Sequence, residues 1–159
     1  MSLYGYAGRI LRVDLDEKKF HDESLDADFV SQFIGGAGFG AKYLYDEHPE
    51  SVAWSDPENR IIFANGPFSN TSVGGSATTC VTAKGPMTNL AGSSQANGYM
   101  GAFLKSCEYD GLIIGGRASR WSYLHISRHG IALKDASHLV GKDVMETQEQ
   151  IKRDLSQES

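Results

Sequence analysis

The side chains that could do chemistry in this 159-residue chain are few and scattered. Cys80 and Cys107 lack the Cys-x-x-Cys spacing of a zinc or cluster site and are too few for a disulfide framework. They read as two buried thiols in a reducing compartment. The five histidines, His21, His48, His125, His129 and His138, show no ligand spacing, and only His125 and His138 could meet across strands. The carboxylates fall in charged turns, such as Asp14, Asp16 and Glu17, or on helix faces, such as Glu146 and Glu149. There is no Walker A pattern, no Gly-x-Ser-x-Gly elbow and no His-Glu-x-x-His pair. Gly35-Gly36-Ala37-Gly38-Phe39-Gly40 resembles a phosphate loop, but phosphate cradling needs a strand before the glycines and a helix after them. Here a helix precedes them, so a tight helix-to-helix turn is expected. Residue chemistry alone therefore supplies no catalytic constellation.

What remains is a segment of unusual composition. From Gly66 to Leu104 the only formal charge is Lys84, and glycines at 66, 74, 75, 85, 92, 98 and 101 alternate with Ser, Thr, Asn and Gln. A solvated loop of that length would carry charge, and a disordered linker would lack Phe68, Val81, Leu90, Tyr99, Met100 and Phe103. The segment offers backbone amides and small hydroxyls to something that covers it, centred on Gly74-Gly75-Ser76 and Ser94-Gln95-Ala96-Asn97-Gly98-Tyr99.

The elements that must hold this surface are legible from periodicity. Residues 9–15 and Phe20 suggest an opening hairpin around the charged turn 16–19. Asp26 can cap a helix with Phe29, Val30, Phe33 and Ile34 apolar, stopped by Gly35-Gly36, and a second helix runs from about Phe39 to Glu47 and ends at Pro49. Strands are expected at 60–65, 77–83 and 111–115, and a short helix at 98–105. A hairpin is expected at 121–134 around Arg128-His129-Gly130. Val144, Gln148, Ile151 and Leu155 draw a helical stripe running almost into Ser159, which suggests a fragment. Strands come in hairpins instead of alternating βα units. The expected class is therefore α+β, mainly antiparallel sheets stacked with a few helices, in a single domain over 1–159 whose first three residues could be a cloning remnant.

Composition excludes several classes. With 40% hydrophobic and 10% aromatic residues and no run of about 18 apolar positions, neither disorder nor a membrane span is expected. Fifteen Lys and Arg against 20 Asp and Glu give a net charge of −5 with no basic cluster, which argues against nucleic acid. Met-Ser-Leu leads into polar, Gly-rich sequence with no apolar signal region, so a cytoplasmic protein is expected.

An ordered set of blocks resembles the N-terminal domain of the tungsten-containing aldehyde ferredoxin oxidoreductases. The blocks are residues 8–15, Pro57-Glu58-Asn59, Ala64-Asn65-Gly66-Pro67, Gly98-Tyr99-Met100-Gly101-Ala102 with Leu104-Lys105, Tyr109-Asp110, and Asp135-Ala136-Ser137-His138-Leu139 with Gly141-Lys142. The resemblance implies a platform of two β-sheets under a tungsten (or molybdenum) bis-pterin whose phosphates are bridged by magnesium. Later domains would supply a four-iron four-sulfur cluster. It implies aldehyde oxidation to carboxylic acids, or oxidation of a related oxo substrate, with ferredoxin as acceptor and a homo-oligomer as the assembly. The covering partners would be the remaining domains, and the isolated piece would be inactive. Gln95 falls where the family places an Asn whose carbonyl faces the magnesium, and Asn97 and Gly98 match the Gly-Gly beside it. Gly75 and Ser76 stand in the cofactor loop. Ser76 replaces an Arg that reaches the cofactor, Asn97 replaces a glycine, Glu108 replaces the glycine before Tyr-Asp, and Val140 stands where a Trp is frequent. These departures keep open an alternative, a non-catalytic scaffold or interaction module that has lost the cofactor.

Overall fold

The computed structural model describes residues 3–48 and 50–157. Its centre is a six-stranded sheet in the order β2-β1-β6-β3-β4-β5. The strands are β1 (Arg9–Asp14), β2 (Lys19–Ser24), β3 (Ile61–Asn65), β4 (Thr79–Lys84), β5 (Ala91–Ala96) and β6 (Gly111–Gly115). All neighbours are antiparallel except β1 and β6. A second sheet is the hairpin of β7 (Ser122–Ser127) and β8 (Gly130–Asp135). The class is α+β, as expected.

Alternation along the strands explains the layers, because successive side chains point to opposite faces. Ile10, Ile62, Ala64 and Ile113 face one way and bury against Val30, Phe39, Tyr43 and Leu44 of the helices α1 (Ala27–Phe33) and α2 (Ala37–Glu47). Leu11, Val13 and Leu112 face the other way, onto Leu104 of α3 (Met100–Ser106), Tyr109, and Leu124, Ile126 and Ile131 of the hairpin. With both faces covered, β6 and the inner strands read as apolar runs. The last helix, α4 (Val144–Gln157), follows a short 3-10 turn at Ser137–Leu139.

Asp26 caps α1 as expected, its carboxylate accepting from the amides of Asp28 (2.6 Å) and Phe29 (3.2 Å). The Gly35-Gly36 turn joins two helices and has no strand before it. Ile34 departs from its expected buried stripe. It is exposed and left-handed (φ 60°), because the chain must reverse there before Gly36 can donate to the carbonyl of Asn65 at 3.2 Å. Cys80 is buried, but Cys107 is only half-buried under the hairpin. His125 lies opposite Ala132 in the β7–β8 hairpin, and His138 meets Asp154 on α4 at 2.8 Å, so the two histidines have separate partners. The expected stop at Pro49 and the reach of α4 to Ser159 lie outside the described residues.

Candidate functional site

The two ends of the charge-poor segment come together. A depression of about 410 Å³ is lined by Asn70, Thr71, Val73 and Gly75 to Thr78 on one side, and by Asn97, Gly98, Tyr99 and Ala102 on the other. β4 and β5 connect the walls. They pair from Thr79↔Ala96 to Lys84↔Ala91, so the first wall enters β4 where the second leaves β5. The segment thus wraps one edge of the main sheet. β5 was not foreseen, because Ala91-Gly92-Ser93-Ser94-Gln95-Ala96 has neither apolar alternation nor strong β propensity.

Four residues expected at a cofactor, Gly75, Ser76, Asn97 and Gly98, line this one depression. Gln95 does not. It lies at the exposed edge, two positions before the wall and opposite Cys80. Gly75 (φ 76°) and Gly98 (φ 130°) hold left-handed backbone, and a Cβ on either would meet nothing within 4 Å. Open space therefore faces bare main chain at both walls. The walls meet through the Thr78 hydroxyl, which donates to Asn97 Oδ1 at 2.7 Å.

Each wall is pinned from behind by a buried polar side chain. The Ser69 hydroxyl donates to the Ser76 carbonyl at 3.1 Å. Asn65, at the end of β3, donates from Nδ2 to the Gly101 carbonyl at 3.2 Å and accepts from the Thr79 hydroxyl at 3.0 Å. The far end of α3 is held by Lys105, whose ammonium bonds the carboxylate of Asp110 and the Gly5 carbonyl (2.7 Å). Asp110 is fully buried and also accepts from the amides of Ala7 (3.1 Å) and Gly8 (2.7 Å). Sequence reasoning missed Ser69, Asn65 and the Lys105–Asp110 pair as buried anchors, since polar residue types usually signal surface. The one available signal was that Asn65, Lys105 and Asp110 fall inside the blocks carrying the family resemblance.

The lining is electrically neutral, a set of hydroxyls, carboxamides and main-chain groups. Among the described residues no three His, Cys, Asp or Glu side chains cluster to hold a metal ion. The charged chemistry sits elsewhere. Arg12 bonds Glu23 and Glu47, which hold its guanidinium firmly protonated, and Tyr43 donates to Glu23 at 2.6 Å, with burial pushing its phenol up. No helix is long and apolar enough to cross a membrane among the described residues. Around the neutral edge Phe68, Met87, Leu90, Tyr99 and Phe103 are all exposed, the last two ring-stacked at 5.9 Å. The chain exposes 9894 Å² in all. A self-contained globular chain of this size would expose roughly 7,800 Å².

The family model described as aldehyde ferredoxin oxidoreductase, N-terminal domain, matches residues 10–159. The tungsten-containing aldehyde ferredoxin oxidoreductase of Pyrococcus abyssi is 35% identical over 153 residues, covering 96% of this chain and 25% of its own length. The enzyme of the same name from Pyrococcus horikoshii is 33% identical with the same coverage. Among solved structures, the active site complex BamBC of benzoyl coenzyme A reductase with 1,5-dienoyl-CoA superposes with a TM-score of 0.93 at 35% identity, over 96% of this chain and 23% of that one. The chain spans about a quarter of the length of these relatives.

Proposed function

The chain belongs to the aldehyde ferredoxin oxidoreductase family, matching its N-terminal domain, and from that premise we propose that residues 1–159 form a single platform carrying one face of a tungsten (or molybdenum) bis-pterin. The observation that carries this proposal is the convergence of Gly75, Ser76, Asn97 and Gly98 on one uncharged depression with open space before two left-handed glycines. Such a surface fits a bulky, flat, hydrogen-bonding ligand that approaches the main chain. It carries no Arg or Lys for the pterin phosphates, so the resemblance's bridging magnesium would neutralise them, with Gln95 contributing its main-chain carbonyl at the edge; oxygen donors of this kind suit a hard cation. When bound, the pterin-held metal would supply the redox chemistry. Residues of this chain would hold and orient the group and shield one side of it from water.

On this proposal the remaining domains cover the neutral edge and bring the iron-sulfur cluster. The whole protein then oxidises an aldehyde or a related oxo substrate, passes electrons to ferredoxin and works as a homo-oligomer in the cytoplasm. The piece alone is inactive. Ser76 favours the second reading, a cofactor-free scaffold, since it has a single donor where a guanidinium could make a bidentate contact.

Metal and pterin content per polypeptide of the full-length protein decides. Gly75→Val and Gly98→Val should lower it severalfold, and Ser76→Arg should raise it or leave it unchanged. Gly141→Val is the control, because Gly141 has a left-handed φ of 84° with nothing within 4 Å of an added Cβ and lies outside the depression. Normal occupancy in both wall variants would sink the platform reading, and a wild-type protein that carries neither pterin nor metal would favour the scaffold.

A further inference from the structure

Resting on the platform proposal, we propose that Asn65 is the positioning residue of the cofactor site, setting the separation of its two walls without touching the ligand. Asn65 is 1% exposed and lies behind the depression, outside its lining. Its carboxamide is both donor and acceptor, and each function goes to a different wall. Nδ2 holds the Gly101 carbonyl in the first turn of α3, whose start carries Asn97, Gly98, Tyr99 and Ala102 into the depression. Oδ1 holds the Thr79 hydroxyl at the start of β4, directly after Gly75 to Thr78. A carboxamide supplies both partners at neutral charge, from two separate atoms that can each face one wall. An aspartate loses the donor and a leucine loses both.

The backbone of Asn65 ties the same point to the rest of the fold. Its amide donates to the Asp110 carbonyl at 2.9 Å and its carbonyl accepts from Gly36. Asn65 is thus fixed by the residue that leads into β6 and by the α1–α2 turn before its side chain reaches the walls. Gly101 completes the lock. A Cβ there would lie 2.9 Å from each of three oxygens, those of Asn65 Oδ1, Thr79 Oγ1 and the Ala77 carbonyl. Real Cβ atoms essentially never approach that closely, so the contact would push α3 away from β4 and widen the depression.

The test uses the full-length protein with Asn65→Leu, Gly101→Ala and, as a control, Leu25→Ala. Leu25 is buried in the cluster on the opposite face of the sheet, which contains no residue of α3, and it does not line the depression. Two readouts are taken, pterin and metal per polypeptide after identical purification, and hydrogen exchange across residues 97–106 in cofactor-stripped protein. Asn65→Leu leaves the Gly101 carbonyl and the Thr79 hydroxyl unpaired and Gly101→Ala displaces them, so each should lower retention about tenfold or more and speed exchange in α3 about tenfold or more. Leu25→Ala should lower the unfolding midpoint while leaving retention and α3 exchange as in the wild type. Retention falling in all three variants in proportion to their unfolding midpoints would overturn the assignment, since Asn65 would then be a stability residue only. Normal retention in Asn65→Leu with a widened exchange pattern would overturn it as well. Absence of pterin from the wild-type protein would instead sink the platform reading, and the exchange arm would then judge the lock by itself: unchanged α3 exchange in Asn65→Leu refutes it, and faster exchange upholds it.

Discussion

The two edges of the main sheet are built on opposite principles. β2, Lys19-Phe20-His21-Asp22-Glu23-Ser24, is dense in charge that is tied down: Asp22 bonds Arg9 at 2.7 Å and accepts from Tyr109 at 2.8 Å, and Glu23 holds Arg12 and Tyr43. β5, Ala91-Gly92-Ser93-Ser94-Gln95-Ala96, is exposed throughout and carries no charge at all. A strand edge facing water is ordinarily blunted by charge, proline or a bulge, because bare amides and carbonyls invite another strand. β2 follows that rule and β5 breaks it. On the platform proposal, this contrast separates a side built for solvent from a side built for contact, and the depression lies on the second.

Removing the charge hidden behind the neutral side should destabilise the chain most. Asp110→Asn leaves the Lys105 ammonium, 10% exposed, without its counter-charge at the end of α3. Stranding one partner of a buried pair costs about 3–5 kcal/mol. Urea unfolding of the chain should show the midpoint falling accordingly. A change below about 1 kcal/mol would mean that the neutral wall stands independently of the pair.

A smaller effect should appear only on the charged side. Burial, and then donation to Asp22, push the Tyr109 phenol up to about 12. Unfolded tyrosine ionises near 10. The stability this shift represents is therefore complete below about pH 10 and is lost as pH rises from 10 to 12. The phenols of Tyr6 and Tyr43 are also raised, so the contrast between wild type and Tyr109→Phe isolates the contribution. The variant should lose less stability over that window. Parallel curves for the two proteins would break the assignment.

The α1 cap gives an effect near 1 kcal/mol. Asp26→Ala removes the acceptor for two amides and should lower the unfolding free energy read from urea titration by about 1 kcal/mol.

The legibility of these regions in sequence follows the same division. The hairpins, the Asp26 cap, the Gly35-Gly36 turn and the apolar strands Ile61–Asn65 and Gly111–Gly115 could be read because their signals are local: alternation, a cap, a glycine stop. The neutral composition of 66–104 was also readable, and the two stretches it centred on contain five of the lining residues, Gly75, Ser76, Asn97, Gly98 and Tyr99. The parallel pairing of β1 with β6 was not, since it joins Ile10 to Gly111 across most of the chain. β5 was hidden because it is templated by β4 through the turn in which Gly85 donates to the Leu90 carbonyl, and its own residues hardly favour a strand. Asn65 and Asp110 were hidden for a different reason. Their burial depends on which distant carbonyls and amides arrive to satisfy them, and residue type carries no trace of that.

The smallest effect on the fold is expected from giving β5 the protection that β2 already has. Ser94 is exposed on the bare edge and pairs with Val81 on its other side, so Ser94→Lys places an ammonium where no side chain needs to move. Surface changes of this kind alter stability by no more than about 0.5 kcal/mol. Association should respond much more strongly than stability. The 159-residue chain leaves an uncharged strand edge and the exposed Tyr99–Phe103 stack uncovered, and such surface is expected to self-associate at high concentration. Sedimentation should show wild-type chain in reversible exchange with larger species and Ser94→Lys shifted toward monomer, with unfolding midpoints that coincide. Asp22→Lys, which adds like charge on the β2 edge, should leave association unchanged while weakening the contacts to Arg9 and Tyr109. If the wild-type chain sediments as a clean monomer, β5 is an edge that tolerates water after all, and the contrast between the two edges loses its functional meaning. If both lysine variants dissolve the association equally, net charge governs it and the neutral edge has no special part.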